Sequence, residues 1–134
     1  MSTDILNLKY TAEEFDDLVK NVENTVTEVV HDTAGILTLD IADNRNFNII
    51  VSAEITGLSF SNVPQGLSVI VKTRFIQGSP GGFAIDIGSI ESKDTVAFST
   101  EYGKYDIATF EMIPMNGLSD TICTNFAAGF TVVQ

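Results

Sequence analysis

The chain has no tryptophan, one cysteine, one histidine and three prolines, and only seven lysines and arginines against eighteen aspartates and glutamates. Each scarcity excludes something. The single Cys123 leaves no intramolecular disulfide and no cysteine-based metal site. In its apolar, strand-like setting it reads as a buried, inert thiol. The single His31 closes a Val-Val-His-Asp strand end and reads as a hydrogen-bonded structural residue rather than a catalytic base. The net charge of −11 argues against a nucleic-acid partner, because phosphate binding needs a basic surface. No apolar run approaches the roughly 20 residues that cross a bilayer, so no membrane partner is expected. Residues 1–5 carry neither a basic region nor an apolar signal core, which leaves classical secretion unsupported. The opening Met1 fits a whole gene product.

Catalytic motifs are missing too. Gly66-Leu67-Ser68-Val69 is followed by Ile70, so there is no nucleophile elbow. Gly103-Lys104 is followed by Tyr105, so there is no phosphate loop. Asp40, Asp43, Asn44, Asn46 and Asn48 offer calcium-like oxygen ligands, but without the glycine and bidentate glutamate of a calcium hand. Turn-forming Asx residues account for the cluster, and no metal is assigned. The sequence therefore reads as non-enzymatic, with no catalytic residue and no cofactor.

What is present suits one domain: 134 residues, 44% hydrophobic and 19% charged. Charge is concentrated at the front, where residues 1–32 hold eight acids against Lys9 and Lys20. That imbalance marks either a different environment or the solvated face of a helix. Ile5, Leu6, Leu8 and Tyr10 suit an extended docking arm. Thr11-Ala12-Glu13-Glu14 fits a capping box, with Tyr10 and Phe15 placed as its hydrophobic staple. Phe15, Leu18, Val19 and Val22 then form an apolar stripe at helical spacing, which predicts a short amphipathic helix ending near Val22 or Glu23. Residues 1–23 are read as an arm and helix, and residues 24–134 as a β-domain.

From about Asn24 the pattern is strand and turn. Residues 24–31 are rich in β-branched side chains, which lose rotamer freedom in helices. Further strands are read at residues 36–41, 47–52, 55–61, 67–76, 83–87, 95–99, 105–112 and 121–126. The longest alternates Leu67, Val69, Val71, Thr73 and Phe75 with Ser68, Ile70, Lys72, Arg74 and Ile76. Asn62-Val63-Pro64-Gln65-Gly66 supplies the turn before it, and Gln77-Gly78-Ser79-Pro80-Gly81-Gly82 the loop after it. About eight or nine short, regularly spaced strands predict a mainly β fold, an antiparallel β-sandwich or barrel, with no β-helix repeat visible.

Several stretches together resemble a known family. They are Gly35-Ile36-Leu37-Thr38-Leu39-Asp40, Phe47, the run from Ile55-Thr56-Gly57 through Phe60-Ser61-Asn62-Val63-Pro64 to Gly66, and Gln77 through Gly82. Gly103-Lys104-Tyr105-Asp106-Ile107 with Phe110, and Asn125-Phe126-Ala127-Ala128-Gly129-Phe130, complete the set. The chain resembles the trimeric, jelly-roll-like β-sandwich knob domains of tailed-phage virion appendages: capsid decoration or cement proteins, head fibres and tail fibres. The likeness covers about residues 24–130, and it departs after Gly82, where the tryptophan-rich loop of the group is absent. It implies a homotrimeric decoration protein on the capsid surface, made in the host cytoplasm and bound to the major capsid protein or another virion protein. On that reading residues 1–23 attach, through Leu8, Tyr10, Phe15, Leu18, Val19 and Val22. The alternative is a short tail or head fibre binding a host receptor or glycan, with Tyr102 and Tyr105 as contacts.

Overall fold

Alternation in the sequence carries through to burial. A computed structural model describes residues 25–64, 66–113 and 121–133. The arm, the expected helix and the six attachment residues from Leu8 to Val22 lie outside the described residues, as do residues 114–120. Eight strands run through the described residues: β1 Val26–His31, β2 Gly35–Asp40, β3 Asn46–Val51, β4 Ile55–Ser61, β5 Val69–Gln77, β6 Glu91–Ser92, β7 Lys104–Met112 and β8 Thr121–Thr131. The fold is mainly β, and the described residues contain no helix.

Strand direction differs from the antiparallel expectation. Six strands form one sheet in the order β1-β3-β5-β7-β8-β6, and β2 and β4 form a second. β1, β3 and β5 pair in parallel, as do β2 with β4, while β7 is antiparallel to both β5 and β8. The first five strands alternate between the two sheets, so each circuit of the chain lays a strand beside its predecessor. The first circuit sets Val26 opposite Asn46, and the second sets Asn46 opposite Lys72. The circuits differ in length because β5 starts before the register position Lys72, the Ser61–Val69 link is longer than the Asp40–Asn46 one, and the β2–β4 register shifts. Unequal circuits give no fixed period, which is why the coil leaves no repeat in the sequence.

One core holds the sheets together. Leu37, Leu39, Ile55 and Leu58 of the small sheet pack with Phe47, Ile49, Val51, Val69, Val71, Phe75, Phe110 and Met112 of the large one. Phe60 and Phe110 meet across it with ring centroids 5.4 Å apart. The corner after β1 is tied by His31, whose buried ring Nε2–H donates to the Glu54 carbonyl at 3.0 Å. The Ser52 N–H donates to the His31 carbonyl at 2.9 Å.

Two segments read as strands are not strands. Residues 83–87 make a single bridge, Ile85 to Ile55, and residues 95–99 pair with no strand. Their apolar side chains still serve the core: Phe98 packs edge-on between Phe75 and Phe126, each centroid 4.9 Å away. Conversely, residues 91–92, which lie between those two segments and outside every strand read from the sequence, form β6 beside β8. β8 runs five residues beyond the expected Phe126, to Thr131. Leu67, expected on the buried side of the long strand, lies outside β5 and is exposed. The 77–82 loop is held by Gln77, whose side chain donates to the Phe83 carbonyl at 2.7 Å and accepts from the Phe83 N–H at 3.3 Å. Gly81 is required there, since φ is +84° and a Cβ would lie 2.6 Å from the Tyr102 nitrogen.

Candidate functional site

The inner face of the large sheet is filled by core, so its outer face is the surface the fold presents. The registers align its outward residues into rows across five strands. One row reads Val30, Ile50, Ile76, Tyr105 and Phe130. The next reads Glu28, Asn48, Arg74, Ile107 and Ala127, and the third Val26, Asn46, Lys72, Thr109 and Asn125. An apolar row thus borders a band of amides and cations. Val30 is 55% exposed and Phe130 40%, so the row is open to solvent at both flanks.

Chemistry at the centre of the face is organised by Tyr105. The Arg74 guanidinium lies 4.8 Å from its ring centroid, and Phe130 stacks on it at 5.3 Å with planes 20° apart. Such a sandwich holds the cation in place by the ring quadrupole and fixes the tyrosine rotamer. A groove of about 210 Å³ opens beside it, lined by Val26, Asn46, Asn48, Lys72, Arg74 and Ile107. A larger groove of about 520 Å³ lies at the end of the same face, where Ile50, Ile76, Tyr102, Lys104 and Val132 meet. Lys104 Nζ donates to Thr131 Oγ1 at 2.8 Å on its rim.

The structure separates the two tyrosines read as receptor contacts. Tyr102 stands in the turn before β7, 57% exposed, and lines the larger groove. Tyr105 is half-buried in β7, flanked by Arg74 from β5 and Phe130 from β8. The apolar row itself escaped the sequence reading. Its signal was an isoleucine on the polar side of each alternation, Ile50 in β3 and Ile76 in β5, beside outward Asn48 and Arg74.

The Asx cluster divides: Asn46 and Asn48 stand on β3, and Asp40 closes β2 and anchors the turn after it. Asp40 Oδ1 accepts from the Ala42 N–H and from Asn62 Nδ2, both at 2.9 Å. Asn62, at φ +59°, thereby ties the turn after β4 to the end of β2. The Asn62 amide first, and the Ala42 N–H second, hold the Asp40 carboxyl below its ordinary value of 3.8. A lowered folded-state value contributes stability at pH above the ordinary value, lost as pH falls through the lowered one. In an NMR titration of the side-chain carboxyl carbon, Asp40 should titrate below 3.8, and Asn62→Ala should move it back upward. An unmoved midpoint in that variant would count against the assignment.

Comparison with family models, curated proteins and solved structures finds no match to this chain.

Proposed function

We propose that the protein is a non-enzymatic structural component of a bacteriophage virion: a homotrimeric decoration or cement protein on the capsid surface, made in the host cytoplasm and attached through residues 1–23. The observation that carries the self-associating part is a second apolar cluster, at the far end of the large sheet. Leu67, Ile70, Ile113 and Ile122 are all at least 40% exposed. Ile70 and Ile122 flank Glu111 in one outward row, which brings them to the same end. Exposed aliphatics gathered at one end of a sheet in this way are surfaces that oligomers cover. The knob-like sequence stretches support the virion part, and the acid-rich first 32 residues support a separate attachment element.

In light scattering the full chain should run at three times its 14.5 kDa mass, and Ile70→Asp with Ile122→Asp should release monomer. Deleting residues 1–23 should abolish binding to virions while leaving the trimer folded. A deletion that still decorates particles would sink the attachment assignment. Labelled antibody should spread over the head. Label confined to the tail would favour the second reading, a short tail or head fibre binding a host receptor or glycan. Exposed Tyr102 in the 520 Å³ groove is the observation in favour of that reading.

A further inference from the structure

We propose that the outer face of the large sheet, from the 210 Å³ groove to the row of Val30, Ile50 and Ile76, is the docking surface for the acidic segment 12–23 of the same chain. The argument starts from where the described chain begins. Residue 25 leads straight into β1, the edge strand of this sheet, and Val26 itself lines the groove. A segment that ends one or two residues before β1 is tethered at this groove, with the faces of the sheet within its reach. The inner face is already occupied by core, so the outer face is the one available.

Length fits. A helix over residues 12–23 would be about 18 Å long. β1 and β3, six residues each, run about 20 Å, so the segment would cover the face from one end to the other.

Chemistry fits as well. The stripe of Phe15, Leu18, Val19 and Val22 needs apolar contacts, and Val26 at one end of the span with Val30, Ile50 and Ile76 at the other would supply them. Residues 1–24 carry six acids against two lysines. Lys72 and Arg74 rise from the middle of the face, where carboxylates flanking the stripe would reach them. The acids of the face, Glu28 and Glu111, sit on the edge strand and toward the opposite end, outside that central pair. Docked in this way, the segment covers in the free protein the stripe assigned above to the capsid. Attachment to a virion then competes with docking.

Hydrogen exchange of the purified full chain, read by mass spectrometry, tests this without virions and so independently of the virion reading. Amides of residues 15–22 should exchange at least about tenfold more slowly than in an unstructured peptide. That protection should be unchanged on dilution. Ile50→Asp with Ile76→Asp should remove it while β5 and β7 keep theirs. Leu18→Asp should remove it from the other side, without touching the β-domain. Unstructured-peptide rates in the unaltered chain, or protection that survives both variants, would overturn the proposal. So would protection lost on dilution, which would assign the face to a neighbouring copy instead.

Discussion

Replacing Asp106 by alanine should cost about 3–5 kcal/mol of folding stability and lower the midpoint of thermal unfolding by on the order of 10–15 °C. Asp106 is 1% exposed and faces the core from β7. Its carboxylate accepts three hydrogen bonds: from the Ser99 N–H at 2.6 Å, the Ser99 hydroxyl at 2.8 Å and the Gly129 N–H at 2.9 Å. Two of the donors are backbone amides that the sheet does not serve. Ser99 belongs to the unpaired segment before β7. Gly129 lies where the β7–β8 register slips, since Tyr105 faces Phe130 but Ile107 faces Ala127. The extra residue on β8 forms a bulge, with Gly129 at φ +87°. Asp106 therefore fastens both the irregular segment and the bulge to β7. Alanine would take the acceptor from all three donors, each a penalty of up to about 1–3 kcal/mol, partly relieved by rotation of the serine hydroxyl and by water at the exposed Gly129. Asparagine keeps one acceptor oxygen, so Asp106→Asn should cost less, about 1–3 kcal/mol. Chemical denaturation of the three proteins checks the order. Equal stability of Asp106→Ala and the parent would refute the role.

Phe110→Ala should cost about 3–5 kcal/mol, the range for truncating a buried aromatic and leaving a cavity. Phe110 is fully buried in β7, and its ring meets that of Phe60 from the small sheet. Among the described residues the small sheet has two strands, and a two-stranded sheet gains its stability by packing, not by pairing alone. Loss of the Phe110 ring therefore falls hardest on β2 and β4. Phe60→Ala should cost less, because Phe60 is only partly buried. A double-mutant cycle should give a coupling of about 0.5–1.5 kcal/mol, as for directly contacting rings. A coupling near zero would mean that the ring contact contributes no more than its burial.

Strand positions were legible because side-chain alternation is a local property. In β5 the buried set Val69, Val71, Thr73, Phe75 follows the written period of two, with Gln77 added at its end. The turn at 62–66 was legible for the same reason, since asparagine at positive φ, proline and glycine carry turn geometry in their own backbones. The apolar outer row was half legible. Its isoleucines stand in the sequence, but nothing local shows that Val30, Ile50, Ile76, Tyr105 and Phe130 share a line across five strands.

Residue order alone carries the β class, the placement of most strands and the uneven spread of charge. How those strands pair is settled by packing in three dimensions. A half-buried strand alternates in the same way whether its neighbour runs parallel or antiparallel, so the coil of β1 to β5 has no local signature. Residues 83–87 and 95–99 show the converse. Their apolar side chains promised strands, and burial used the side chains without the ladder. The hydrophobic effect is non-directional and rewards burial however the backbone is paired. The irregular backbone this leaves must find acceptors elsewhere, as Ser99 does at Asp106.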